Sequence, residues 1–355
     1  MLVAPGSTSA LRCCLLIQRN LQGSYRMQLP RFEYIRPKSL DEGLAALREH
    51  GDQITIMSGG SDLLINMKFR LDTPQYLLSL NSLPELQAIE EQDDGSLRIG
   101  AGCTLTELAN DELIKQRYPA LQYALWSVGS RHVRNIGTIG GNICLDTRCW
   151  YTNQSENWRE TRDGCFKTDE QLCHVIKTAD KCHAISSTDS GPILMAMNAS
   201  VILAGKDGQR EVPMLEFYQD DGVDHTVIRP GEILVAVIVP PPAGRAVFAK
   251  LSQREGLDFA SGTLAAAITG SNEKPESVRL VMGSVAPQPQ LMPQSAQILL
   301  DDGLTDDAIE KAALAARSAL NEVTNLFTPS GFKRRLVKAL VKDALLELRD
   351  QAQGA

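Results

Sequence analysis

The sequence predicts an α+β protein of two or three compact domains, and three observations carry that expectation. A chain of 355 residues exceeds what one hydrophobic core usually organises. From Met27 onward, capped amphipathic helices mix with short β-branched strands. Three consecutive prolines, Pro240, Pro241 and Pro242, end one such strand and mark a domain boundary.

Taken in order, the first segment, "MLVAPGSTSALRCCLLIQRNLQGSYR", holds three Arg and no acid. Arg12 breaks its apolar run and no small-residue cleavage site follows, against a signal peptide; a mitochondrial-type presequence is an alternative. The preferred expectation for residues 1–26 is a disordered leader or a start assigned too early, with Met27 the true start and Cys13 and Cys14 without a role. "SLDEGLAALREHG" opens on a capping box, Ser39 with Glu42, and stops at Gly51, so it reads as a helix. "QITIMSGGSDLLINMK" is a strand, a glycine turn and an apolar run. "QYLLSLN" and "SLRIGAG" are further strands. "TLTELANDELIKQ" is a helix with a second capping box, Thr104 and Glu107, and "PALQYALWSVGS" another, stopped near Gly129. "PILMAMNASVILAG" passes from helix to strand, and "EILVAVIVPPP" is a strand. Beyond it, "RAVFAKLSQREGLDFASG" and "ESVRLVMGSVAP" give strands, while "TDDAIEKAALAARSAL" and "GFKRRLVKALVKDALLEL" give two amphipathic helices. That tail forms a small α+β domain.

Composition narrows the function. Hydrophobic residues at 43% and charged residues at 22% are those of an ordinary globular chain. A net charge of −7 argues against nucleic acid as a partner. No stretch approaches the roughly 18 uncharged apolar residues of a membrane helix. Eight cysteines in so long a chain are too sparse for a disulfide scaffold, and their clustering points to metal or redox chemistry in a reducing, cytoplasmic compartment.

Two glycine turns are candidate anion sites: "SGGSD", residues 58–62, after a strand, and "GTIGGN", residues 137–142, after a helix. Glycines let backbone amides approach a pyrophosphate and form a concave nest, and Ser58, Ser61, Thr138 and Asn142 add side-chain donors. Neither turn is GxGxxG, so a Rossmann site is not indicated. A glycine pair on its own is usually a tight turn.

Four cysteines, Cys149, Cys165, Cys173 and Cys182, follow the second turn with 15, 7 and 8 residues between them. Paired CxxC knuckles of structural zinc sites are absent, as is the compact run of bacterial ferredoxins. Four thiolates nevertheless match what a 4Fe–4S cube requires, and soft sulfur selects iron–sulfur or zinc. Spacing leaves three readings open: cluster, zinc, or ordinary thiols. Trp150, Trp158 and Phe166 are candidates to shield a cluster, and Arg148, Arg159 and Arg162 to offset its charge, although each also suits an ordinary loop role. His174 and His183 are read as neighbours of the thiols rather than ligands, and Cys103 and Cys144 as small buried hydrophobes.

Six blocks, "SGGSDLLINMK", "GAGCTLTELA", "RNIGTIGGN", "SSTDSGPILMAM", "GEILVAVIVPPP" and "FAKLSQREGLDFA", occur in the order found in the FAD-binding subunits of molybdenum hydroxylases, the xanthine and carbon monoxide dehydrogenase relatives. The chain resembles that family from about residue 27 to about residue 348. Most such subunits run almost directly from "GGN" to "SSTDSGP"; here about forty residues intervene and hold all four cysteines. With "LDTRCWY" and "NWRE", that insertion is similar to the β subunit of 4-hydroxybenzoyl-CoA reductases, whose loop carries a 4Fe–4S cluster.

The resemblance implies a PCMH-type FAD-binding domain of two subdomains, residues 27–83 and 84–242, with an iron–sulfur loop at 144–186, then an α+β domain at 243–352. It implies that Met57, Ser58, Gly59, Gly60, Ser61, Asp62 and Leu63 wrap the FAD pyrophosphate and that Gly137, Thr138, Gly141 and Asn142 meet it from the other side. It places Asp189 against the cofactor and Leu234 and Lys250 near the flavin ring. From the residues alone, Leu234 is a core position, Lys250 a surface lysine and Asp189 a helix N-cap. It implies Cys149, Cys165, Cys173 and Cys182 as cluster ligands and no residue catalytic in substrate chemistry. The implied partners are a large molybdopterin subunit, a small 2Fe–2S subunit and ferredoxin as donor, in a dimer of heterotrimers. Electrons would then pass through 4Fe–4S and FAD toward molybdenum for reductive dehydroxylation to benzoyl-CoA. Two competitors are a molybdenum hydroxylase FAD subunit whose cysteine loop is structural, delivering electrons to NAD or a quinone, and a zinc-stabilised interaction module.

Overall fold

The computed structural model describes residues 28–168, 170–254, 256–320 and 330–351. The leader, with Cys13, Cys14 and Met27, lies outside the described residues. Three sheets organise the described residues.

The first is parallel and three-stranded, with β1 (Glu33–Ile35) and β2 (Ile54–Met57) flanking β3 (Tyr76–Ser79). Helix α1 (Leu40–His50) connects β1 to β2 and buries Leu44 and Leu47 against Leu78 and Ile233. Ser39 Oγ accepts from the Glu42 amide at 3.2 Å, and Gly51 ends the helix at φ +51. The reciprocal half of the box is shifted, because Glu42 accepts from the Lys38 amide at 2.7 Å. After β2 comes the first glycine turn and then α2 (Leu63–Lys68).

The second sheet is antiparallel, with strands in the order β4 (Ile89–Glu91), β5 (Leu97–Gly100), β8 (Ile233–Val239), β6 (Ser200–Gly205) and β7 (Gly208–Pro213). Its strands enclose a helical excursion containing α3 (Leu105–Asn110), α4 (Pro119–Trp126), α5 (Ile139–Ile143) and α6 (Ser190–Ala196). The helix expected through "TLTELANDELIKQ" is two short helices, because Asp111 turns extended and caps a second one, its side chain accepting from the Ile114 amide at 3.0 Å.

The third sheet, in the order β12 (Gln290–Leu291), β11 (Pro275–Gly283), β10 (Ala260–Gly270) and β9 (Arg245–Ser252), sorts its residues by alternation. Leu264, Ala266, Ile268, Leu280 and Met282 face a helical layer of α7 (Pro293–Asp302), α8 (Asp306–Ala319) and α9 (Ser330–Asp350). Phe248, Ala265 and Val281 face the other way and join the core of the second sheet. Small residues let α6 approach closely: a Cβ on Gly283 would stand 2.6 Å from the Pro192 ring. Burying each large apolar side chain here contributes about 1.5–3 kcal/mol. Helix α7 was not expected from the sequence. Among the described residues no helix is long and apolar enough to cross a membrane.

Candidate functional site: two glycine turns and a cysteine loop

The two glycine turns meet. A Cβ on Gly59 would sit 1.8 Å from the Ile136 carbonyl oxygen, so only glycine fits where the first turn crosses the second. Thr138 Oγ1 donates to Ser58 Oγ at 3.0 Å, joining residues 80 apart in sequence. Gly60 adopts φ +69, which reverses the chain between β2 and α2. Among the described residues the amides of Gly59, Gly60 and Ser61 make no backbone hydrogen bond. Three successive free N–H groups in a glycine turn form an anion nest, so the residues present fit a pyrophosphate.

The second segment is not a plain turn. Residues Gly140 and Gly141 lie in the first turn of α5, capped by Thr138, whose side chain accepts from the Gly141 amide at 3.1 Å. The Thr–x–x–Gly spacing carried that signal, although glycine masks it. Gly140, not singled out from the sequence, is wedged against Ala101, where a Cβ would stand 2.8 Å from the carbonyl oxygen. Asn142 is buried and its Oδ1 is committed, accepting from Ser190 Oγ at 2.6 Å, the Ser190 amide at 3.1 Å and Thr188 Oγ1 at 3.1 Å. This ties "GGN" to the segment carrying Asp189. Met57 closes β2, and Leu63 opens α2 half-buried.

Asp189 and Lys250 form a buried ion pair, Oδ2 to Nζ at 2.6 Å, with 7% and 8% of their side chains exposed. Lys250 also donates to the Ser127 carbonyl at 2.9 Å. The surface reading of Lys250 is therefore replaced by a buried one. Asp189 occupies the N-cap position of α6 without a capping bond, and its Oδ1 is buried without a partner. Burial pushes the Asp189 carboxyl up, and Lys250 opposes the rise. Leu234 lies in the sheet core, 6% exposed and registered against Leu203.

The cysteine loop is pinned at its neck, where Arg148 and Ile185 exchange two backbone hydrogen bonds of 2.8 Å. Cys149, Cys165, Cys173 and Cys182 all line one recess of about 270 Å³, its open mouth included. Two amides donate to the sulfurs, Ile176 to Cys173 Sγ and Ala184 to Cys182 Sγ, both at 3.4 Å, and Thr152 Oγ1 shares a hydrogen bond with Cys165 Sγ at 3.6 Å. Such N–H···S bonds are the means by which proteins tune cluster sulfurs. A single zinc ion, about 2.3 Å from each sulfur, would need the four within about 4 Å of one another. Among the described residues no group of three or more His, Cys, Asp or Glu is arranged to hold a metal ion. Burial raises the Cys149 thiol and pushes Cys182 up to about 11.

The surroundings divide. Phe166, His174 and His183 line the recess, while Trp150 and Trp158 stack outward edge-to-face, 6.5 Å apart. Tyr151, unremarked in the sequence, stacks on His174 at 5.0 Å. Arg162 lies over Trp158 at 4.6 Å. Arg148 is spent on the first glycine turn: it pairs with Asp62, and its guanidinium covers Phe259 at 4.3 Å. Arg159 donates to the Phe69 and Arg70 carbonyls, both at 2.9 Å. The cation acting on Cys182 is Lys167, which also bonds Asp146 at 2.7 Å. Cys103 is a buried hydrophobe and Cys144 is half-buried.

With that geometry, residues 30–242 match the family described as "FAD binding domain in molybdopterin dehydrogenase". The chain belongs to the FAD-binding subunits of the molybdenum hydroxylase family. Residues 247–348 match the "CO dehydrogenase flavoprotein C-terminal domain". The chain is 32% identical over 332 residues to the aldehyde oxidoreductase FAD-binding subunit PaoB of Escherichia coli, covering 90% of this chain and 99% of that one. It is 28% identical to the glyceraldehyde dehydrogenase medium chain of Sulfolobus acidocaldarius, covering 91% and 100%. A structure of carbon monoxide dehydrogenase from Hydrogenophaga pseudoflava superposes with a TM-score of 0.76 at 26% identity, over 90% of this chain and 98% of that one. The protein is thus the FAD subunit of a molybdenum hydroxylase family oxidoreductase, with the PCMH-type domain followed by the flavoprotein C-terminal domain.

Proposed function

We propose that this chain is the FAD- and 4Fe–4S-carrying electron-transfer subunit of a 4-hydroxybenzoyl-CoA reductase-like complex. It receives single electrons from ferredoxin and hands them toward 2Fe–2S and molybdenum centres on a small and a large partner subunit. The observation that carries this reading is the convergence of Cys149, Cys165, Cys173 and Cys182 on one recess, in a loop bonded directly to the first glycine turn through Arg148 and Asp62.

The chain's own residues have separable tasks in this scheme. Free amides of Gly59, Gly60 and Ser61, with Ser58 and Thr138 beside them, hold the pyrophosphate. Asn142 fixes the second turn against Ser190, and Lys250, oriented by Asp189 and the Ser127 carbonyl, presents its ammonium near the flavin ring. FAD, when bound, exchanges electrons one or two at a time, which suits a one-electron donor and a two-electron substrate. No residue of this chain takes part in substrate chemistry.

The identity to an aldehyde oxidoreductase subunit favours a second reading, in which the same chain serves an aldehyde-oxidising complex and its cysteine loop is structural or binds zinc. Anaerobic determination of iron, zinc and flavin on the co-expressed complex separates the two. About four irons and one FAD per chain supports the cluster; FAD with zinc or no metal overturns it. Reduction of the complex by ferredoxin, with 4-hydroxybenzoyl-CoA as acceptor, then tests the direction of flow.

A further inference from the structure

Helix α2, whose N-terminus is the pyrophosphate turn, is gripped at both ends by the cysteine loop. At its start, Asp62 pairs with Arg148, the residue immediately before Cys149. At its end, the carbonyls of Phe69 and Arg70 accept from Arg159, which lies between Cys149 and Cys165. Arg70 stands in the left-handed region at φ +57, so this exit turn is one the backbone resists and the clamp holds. Asp62 presents a difficulty of its own, since a carboxylate beside an anion nest repels the pyrophosphate the nest would bind. Asn66 Nδ2 donates to one of its oxygens at 3.2 Å, and Arg148 neutralises its charge. Arg148 cannot drift far while the Ile185 bridge and the Phe259 ring hold it.

Resting on the cluster reading above, we propose that Arg148 and Arg159 are positioning residues that couple occupancy of the cysteine recess to FAD binding. Binding four sulfurs to one body fixes segment 149–182, which contains Arg159 and begins beside Arg148, and so steadies both grips on α2. With the recess empty, the neck still holds Arg148, but Arg159 loses its constraint and Arg148 the fixed residue beside it, so α2 and its free amides are less well placed. Linkage makes the effect reciprocal: bound FAD tightens the recess by the same factor.

The test uses the full chain, purified anaerobically, with the FAD dissociation constant measured by ultrafiltration before and after iron is stripped with ferricyanide and EDTA. Stripping should weaken FAD about tenfold, within the usual range of such couplings. Arg148→Gln and Arg159→Gln should weaken FAD in the loaded chain and abolish the difference between loaded and stripped forms. Arg148→Lys should restore only part of it, keeping charge without the planar fork. Iron stripping needs no substitution, so a variant that fails to fold does not remove the test. A chain holding four irons whose FAD affinity is unchanged by stripping overturns the coupling and leaves the cluster reading standing. A chain that binds no iron overturns the cluster reading and the coupling with it. Persistence of the full difference in both Gln variants overturns the assignment to these arginines.

Discussion

Replacing Asp189 with alanine leaves the Lys250 ammonium buried with one acceptor, the Ser127 carbonyl at 2.9 Å. Breaking a buried ion pair by removing one partner costs about 3–5 kcal/mol. Two features place this pair at the lower end. Lys250 keeps its carbonyl partner, and the substitution also removes Asp189 Oδ1, a buried oxygen with no hydrogen bond. An expected loss of about 3 kcal/mol lowers the melting temperature by about 6–12 °C for a cooperative unit of about 150–250 residues. Differential scanning calorimetry of the flavin-free chain isolates this from cofactor release. The double variant Asp189→Leu with Lys250→Met removes both charges and should recover most of the loss. It should nevertheless retain FAD poorly, because the ammonium is gone. A single variant melting within about 2 °C of the parent would refute the argument. So would a double variant no more stable than the single one.

Gly59→Ala forces a Cβ to 1.8 Å from the Ile136 carbonyl oxygen, a backbone that cannot rotate away; about 2–4 kcal/mol of stability and most FAD binding should go, read by thermal melting and flavin content. Cys165→Ser should abolish the broad iron–sulfur absorbance near ~400 nm and leave FAD bound, though about tenfold more weakly, in an anaerobic spectrum and a binding titration. Burial pushes Cys103 up to about 11 and Cys144 up to about 12, from 9.0. Because both folded values are raised, their stabilising contribution is complete below pH 9.0 and is lost as pH climbs toward 11 and 12. The melting temperature of the iron-free chain should therefore fall steeply above about pH 9, and a Cys103→Ala, Cys144→Ala variant should show a flatter decline.

Local chemistry made much of the fold legible. Ser39, Thr104 and Gly51 marked helix ends correctly because capping depends on a few adjacent residues. Asp111 interrupted an expected helix for the same kind of reason, but its competing cap is visible only once the chain is seen to turn there. Helix α7 escaped notice because it starts without a side-chain cap and rests on burial of Ser295, Ala296 and Leu299. The pair Asp189 and Lys250 was foreseen as two separate positions; nothing in a linear sequence shows that a carboxylate and an ammonium 61 residues apart share one buried pocket. Lys167 and Tyr151 were missed because a lone Lys or Tyr in a polar loop carries no periodic signal. The crossing of the two glycine turns at Gly59 and Ile136 was likewise unreadable, although the glycines that permit it were in plain view.

The cysteine loop raises a question of stability that bears on its contents. Between the neck residues Arg148 and Ile185 the described chain makes two helical turns, Glu156–Arg159 and Phe166–Thr168. Among the described residues none of this segment belongs to the three hydrophobic core clusters. Among its described residues the buried apolar groups are Cys173, Cys182 and Ala184, too little surface to fix the 36 residues of 149–184 against their conformational entropy. Segments below about 40 residues that lack a core are usually held by disulfides or metals. The cysteines here are free thiols, and their sulfurs face a common recess. Arginine and lysine ties anchor the loop to α2 and to Asp146. Under the proposed cluster reading, a body bound by all four sulfurs would supply that core, so stripping iron should make the segment between Arg148 and Ile185 markedly more susceptible to limited proteolysis, and unchanged cleavage would refute the argument.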